Sequence, residues 1–185
     1  MKVPPLPTLI TCGNLTAGFL AVLLAIQGSF VQAAVLVLAA AGLDLLDGAV
    51  ARNSSSDGEF GGNLDSLADL VSFGVAPAVA LYVASLHVLP VTGVAACAIY
   101  VVCGALRLAR FPLVKGSDRF VGLPIPPAGV MLAGLAALNT TWLFVLAATL
   151  VFSALMVSEI PFPKPSGIPA PGRSRDKKHP STEEL

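Results

Sequence analysis

Four aspartates carry the chemistry this sequence can do. The segment Asp44-Leu-Leu-Asp47-Gly48-Ala-Val-Ala51-Arg52 is followed, eight residues on, by Gly61-Gly-Asn-Leu-Asp65-Ser-Leu-Ala-Asp69. Asp44 and Asp47 are three apart and Asp65 and Asp69 four apart, so each pair shares one face of a helix. The nine-residue link from Asn53 to Gly61 is rich in Ser and Gly and reads as the turn of a helical hairpin. When the two faces turn toward each other, four carboxylates converge. They cannot all stay ionised at that range with Arg52 as the one neighbouring cation. Hard divalent cations with oxygen ligands, Mg²⁺ or Mn²⁺, are the natural counter-charge. Two such ions can clamp a pyrophosphate and stabilise both attacking and leaving oxygens. Gly48 and Gly61 have no side chain to hold a substrate off the backbone. The plainer alternative is a set of interfacial acids that face water or pair with Arg52. Further along, Arg107 and Arg110 are three apart; a guanidinium there can grip a carboxylate or a phosphate in bidentate fashion, or the pair can serve as a charge anchor.

The elements that must position these groups follow from where charge is missing. No Asp, Glu, Lys or Arg occurs from Val3 to Leu43, from Leu70 to Leu106, or from Phe120 to Ser158, runs of 41, 37 and 39 residues. About 20 apolar residues cross a bilayer as a helix, so each run fits two crossings and a turn. The turns fall near Gln27-Gly28-Ser29, from His87 to Pro90, and near Asn139-Thr140-Thr141. Backbone groups in lipid must be satisfied internally, which predicts six transmembrane helices at about Leu9 to Gln27, Phe30 to Ala51, Leu64 to Leu86, Pro90 to Ala109, Pro124 to Leu138 and Thr141 to Val157. The expected class is an all-α integral membrane protein. With 55% hydrophobic residues, 12% charged residues and a mean hydropathy of +0.82, the chain is far less charged than a soluble domain, which carries about 25%.

All 22 charged residues fall at one end of these helices: Lys2, the stretch Asp44 to Asp69, the stretch Arg107 to Arg119, and everything from Glu159 on. Lys and Arg collect on the cytoplasmic side, so both termini and the aspartates are expected to face the cytoplasm, in a multi-pass protein of the cell membrane. No small-residue cleavage site follows the first apolar run, so that run is expected to be retained. Net charge is zero, which argues against a nucleic-acid partner. Residues 1–160 are expected to form one six-helix membrane domain and residues 161–185, with six prolines and mixed charge, a disordered cytoplasmic tail. Lys115 and Arg119 read as solvated loop charges, and Cys12, Cys97 and Cys103 as small apolar packing residues.

The spacing of the aspartate segment resembles the signature of the CDP-alcohol phosphotransferase family, Asp-x2-Asp-Gly-x2-Ala-Arg, eight residues, Gly-x3-Asp-x3-Asp. All its fixed positions are met. The resemblance spans roughly residues 5 to 160. It implies a six-span fold, a homodimer, and an active site open to the cytoplasmic leaflet. Carried over by position, it implies that Asp44 and Asp65 each touch two metals, Asp47 one metal and Asp69 the other. It further implies that Gly48, Ala51, Arg52 and Gly61 border the CDP moiety and that Asp69 is the general base. Within the family, the stretches Leu64 to Pro77, Ala105 to Phe111, Phe120 to Pro126 and Leu155 to Ser158 resemble phosphatidylserine synthases. That implies CDP-diacylglycerol and L-serine as substrates, CMP as product, two Mg²⁺ or Mn²⁺ ions as cofactors, and membrane lipid as surroundings. Arg107 and Arg110 then become candidates for the serine carboxylate or a substrate phosphate. One departure is Thr8, where the family often has Asn after Pro; Asn14 is the candidate to serve in its place.

Two other readings compete. The acceptor changes if the alcohol is glycerol 3-phosphate or an inositol phosphate, and the donor changes if the lipid is an archaeal ether lipid. A divalent-cation transporter would also use clustered carboxylates, but such sites lie near the bilayer midplane on interrupted helices, whereas these acids sit at one end beside Arg52.

Overall fold

The computed structural model describes residues 5–53, 59–110, 120–158 and 161–162. Helix α1 runs Pro5–Ile26 and α2 runs Phe30–Asn53. A third rod consists of α3 (Glu59–Asp69), a π-helical segment (Leu70–Val75) and α4 (Ala76–Ala84) in unbroken succession. After a 3-10 turn at Leu86–Val88 come α5 (Pro90–Arg110), α6 (Ile125–Ala137) and α7 (Trp142–Val157). The helices begin and end within a few residues of the expected spans. The largest shift is at the third rod, which starts at Glu59 rather than Leu64; α1 starts at Pro5 rather than Leu9. Proline is tolerated in a first turn, where an amide has no intrahelical partner.

Four of the rods are long and apolar enough to cross a bilayer. Helices α6 and α7, with 13 and 16 residues, reach only about 20 and 24 Å at about 1.5 Å per residue. The expected six spans therefore divide into four of full length and a shorter apolar pair.

Packing follows the logic of lipid rather than water. Small residues face inward: Ala21 and Ala25 of α1, Ala33 and Ala40 of α2, and Ala128, Ala133 and Ala136 of α6 are buried. Large apolar side chains such as Phe19, Leu38, Met131 and Phe144 are exposed. Lipid tails solvate those large groups as well as a core does, so close approach of small residues is what holds helices together. Helix α1 packs against α2 and α4, α2 against α6, and α5 against α7. The α1–α2 turn passes through Gly28 at φ 78°, a left-handed backbone that glycine adopts without strain.

The π segment is clamped on both sides. A Cβ on Gly18 of α1 would lie 2.7 Å from Ser72 Cα, and one on Gly129 of α6 would lie 2.6 Å from the Phe73 carbonyl oxygen. Tyr100 of α5, fully buried, donates its hydroxyl hydrogen to that same Phe73 oxygen at 2.9 Å. A π turn spreads the backbone ladder and leaves carbonyls in need of donors, and here Tyr100 supplies one.

Beyond the helices, Phe120–Val121 pairs antiparallel with Pro161–Phe162, Phe120 opposite Phe162. The first two residues of the expected tail are thus paired; the rest of it, with Lys115 and Arg119, lies outside the described residues.

Candidate active site

The carboxylates are positioned by three helices. Asp44 and Asp47 lie in the last turns of α2, Asp65 and Asp69 in the last half of α3. Asp44, Asp65 and Asp69 each offer an oxygen, and these all lie within 4.8 Å of one another. Asp69 is buried, Asp44 and Asp65 half-buried. Asp47 is not in that group. Its Oδ2 accepts a hydrogen bond from Thr11 Oγ1 of α1. Three of the four expected carboxylates are thus gathered, and the fourth is tied to a neighbouring helix.

Helix α1 supplies a wall that the aspartate spacing gave no sign of. Asn14, which is 1% exposed, donates from Nδ2 to Asp69 Oδ1 at 3.2 Å. Its backbone oxygen accepts from Ser72 Oγ at 3.0 Å, which ties α1 to the π segment just past Asp69. Thr11 and Asn14 are three apart, hence on one face, and each holds one aspartate of a different helix. Asn14 was flagged by the sequence only as a stand-in for a missing family residue, and Thr11 not at all. The available signal was two polar residues at helical spacing inside an apolar span, where polar groups are costly and commonly functional.

The arginine pair separates. Arg107 is half-buried and close enough to Asp69 for their charges to interact. Its Nε is buried without a hydrogen-bond partner among the described residues. Arg110 is exposed. Gly48 is half-buried, and Gly61 is exposed with open space where a Cβ would stand. The side chains of Ala51 and Arg52 lie outside the described residues.

The donor set fits a divalent cation. Three carboxylate oxygens this close, partly out of water, repel one another strongly unless a cation sits among them. An all-oxygen, anionic set is what Mg²⁺ or Mn²⁺ prefers. Between Asp44 and Asp47, Leu45 and Leu46 are 74% and 57% exposed, so acids line the inside of α2 at the depth where leucines face outward.

Comparison with known proteins agrees with this geometry. Residues 5–160 match the family model of CDP-alcohol phosphatidyltransferases. The chain is 37% identical over 159 residues to the CDP-diacylglycerol–serine O-phosphatidyltransferase of Bacillus subtilis (strain 168), covering 85% of this chain and 89% of that protein. It is 39% identical over 171 residues to the archaetidylserine synthase of Methanothermobacter thermautotrophicus, covering 89% and 72%. It is 35% identical over 177 residues to the CDP-diacylglycerol–serine O-phosphatidyltransferase of Helicobacter pylori (strain ATCC 700392 / 26695), covering 88% and 75%. Taken with the complete aspartate signature on α2 and α3, both of which pack against α1, these similarities establish that the chain belongs to the CDP-alcohol phosphatidyltransferase family.

Proposed function

We propose that this protein is a phosphatidylserine synthase, which moves the phosphatidyl group of CDP-diacylglycerol onto the hydroxyl of L-serine and releases CMP. The observation that carries the chemistry is the gathering of Asp44, Asp65 and Asp69 oxygens within 4.8 Å on the helices that bear the whole signature. Serine as acceptor is supported by the relatives, which are named for serine transfer or for making archaetidylserine.

In this reading Asp44, Asp47, Asp65 and Asp69 hold two Mg²⁺ or Mn²⁺ ions, which when bound neutralise charge on the diphosphate and on departing CMP. Gly48, Ala51, Arg52 and Gly61 border the CDP moiety. Arg107 holds the serine carboxylate, and Arg110, exposed at the end of α5, stands at the entrance. Asp69, oriented by Asn14, takes the serine hydroxyl proton as that oxygen attacks the lipid-bearing phosphorus. The new P–O bond to serine forms, the P–O bond to CMP breaks, and CMP leaves with the bridging oxygen. Phosphoryl transfer of this kind asks the protein mainly for positioning and charge stabilisation. The protein sits in the cell membrane as a homodimer, with both termini and the site on the cytoplasmic face, as the one-sided charge supports.

The direct test is incorporation of radiolabelled L-serine into lipid by the purified protein with CDP-diacylglycerol and Mn²⁺ or Mg²⁺. Incorporation that EDTA abolishes is expected. CMP release with glycerol 3-phosphate or an inositol phosphate, and none with serine, overturns the acceptor. A second reading keeps serine but takes an ether-linked lipid donor, favoured by the similarity to archaetidylserine synthase. Side-by-side turnover of the ester and ether CDP-lipids decides between them.

Thr11 provides a further test of the metal reading. Thr11→Val keeps the volume and deletes the donor to Asp47. Loss of an outer-shell partner typically costs 10- to 100-fold in metal affinity or activity, so the Mn²⁺ concentration for half-maximal activity is expected to rise about tenfold, with Thr11→Ser near wild type. An unchanged Mn²⁺ requirement would remove Thr11 from any role in metal binding.

A further inference from the structure

Two polar atoms beside Asp69 are left over once the protein's own hydrogen bonds are counted. One is Asn14 Oδ1 and the other is Arg107 Nε, both buried without a partner among the described residues. A buried polar group without a partner is costly, so each such group in a folded protein calls for an occupant. The Asn14 amide cannot relieve itself by turning over. A carboxylate only accepts hydrogen bonds, so the NH₂ end must face Asp69 Oδ1, at 3.2 Å, and the oxygen end is turned away from it. The backbone of Asn14 is pinned by Ser72. What remains is a fixed acceptor on one side of Asp69 and a cationic donor, Arg107, near the same carboxylate.

From this arrangement we infer that Asn14 is a specificity-determining residue: its Oδ1 receives the α-ammonium of the acceptor amino acid. The inference rests on the serine reading above and deepens it. An ammonium has three donors and no acceptor, which matches an orphan amide oxygen. The carboxylate goes to Arg107 and the hydroxyl to Asp69. Three different groups on one tetrahedral carbon then meet three different partners, which distinguishes L- from D-serine. The same oxygen counts against phosphorylated alcohols. A phosphate presents acceptors, and a carbonyl-type oxygen offers it nothing but repulsion.

The test removes the ammonium from the substrate before it touches the protein. The full-length wild-type enzyme is assayed with L-serine, with 3-hydroxypropanoate (serine without the ammonium) and with ethanolamine (serine without the carboxylate), each as acceptor or as competitive inhibitor of serine transfer. A hydrogen bond to a charged group predicts that serine is favoured over 3-hydroxypropanoate by about tenfold or more. In Asn14→Ala that preference is expected to collapse to about threefold or less, while the preference for serine over ethanolamine stays as in wild type. Both ratios cancel any general damage to Asp69, because all three compounds use it. Equal handling of serine and 3-hydroxypropanoate by the wild type overturns the inference without any variant. So does an undiminished serine preference in Asn14→Ala, or a raised Mn²⁺ requirement in that variant with the ratios unchanged, which assigns Oδ1 to the cation. Failure of the underlying reading looks different: wild-type enzyme that releases CMP with a phosphorylated alcohol and never with serine.

Discussion

Asp69→Asn is expected to lower serine-dependent CMP release by between about a hundredfold and ten-thousandfold, the range over which a positioned general base acts. Binding of CDP-diacylglycerol is expected to stay largely intact. The substitution is close to isosteric, and the new amide oxygen can still accept from Asn14 Nδ2, so the bond between α1 and α3 survives. What is lost is a basic oxygen able to take the serine proton, and one charge of the three-carboxylate group. Asp44, Asp47 and Asp65 remain to hold the cations that would neutralise the diphosphate end of the donor. Turnover of purified enzyme, paired with equilibrium binding of the CDP-lipid, separates the two effects. Activity within about tenfold of wild type would sink the assignment of Asp69 as base, because no base removal of that kind is so mild. Equal loss of donor binding and turnover would instead reassign Asp69 to substrate binding. Trapping a lipid adduct on the protein without serine would favour a two-step route through a phosphatidyl-enzyme.

Gly129→Ala is expected to be among the most damaging single methyls in the bundle, although Gly129 touches neither substrate nor metal in this reading. Its added Cβ would lie 2.6 Å from the Phe73 oxygen and 2.7 Å from Phe73 Cα. Those are backbone atoms of the π segment, which cannot swing aside as a side-chain tip can. Overpacking of this kind costs about 1–3 kcal/mol or more, offset by roughly 1 kcal/mol of helix propensity gained on replacing glycine. The strain falls on the segment that begins one residue after Asp69 and is held by Tyr100 at 2.9 Å. Lower thermal stability in detergent and lower kcat should therefore appear together. Gly134→Ala is the internal control. It lies on the same helix with nothing within 4 Å of its added Cβ, so it is expected to be neutral or slightly stabilising. Matching behaviour of the two variants would show that the clamp on the π segment contributes little.

Features that depend on spacing along one chain segment were legible before any fold was known. Charge-free runs of 41, 37 and 39 residues dictate membrane helices because a backbone in lipid has few other ways to satisfy its hydrogen bonds. Separations of three and four residues place Asp44 with Asp47 and Asp65 with Asp69 because the helix repeat is fixed. Tertiary structure alone decided how those faces meet. Thr11 lies 36 residues from Asp47, and Asn14 lies 55 from Asp69 and 58 from Ser72. No periodicity within a helix encodes such pairings; they follow from how closely α1 approaches its neighbours, as at Gly18, where a Cβ would lie 2.7 Å from Ser72 Cα of the third rod. The same holds for Arg107 and Arg110, alike in sequence yet one half-buried and the other exposed, and for the π turn. That turn exists because Gly18, Gly129 and Tyr100, from three separate helices, leave room for a widened backbone and supply a donor for its carbonyl.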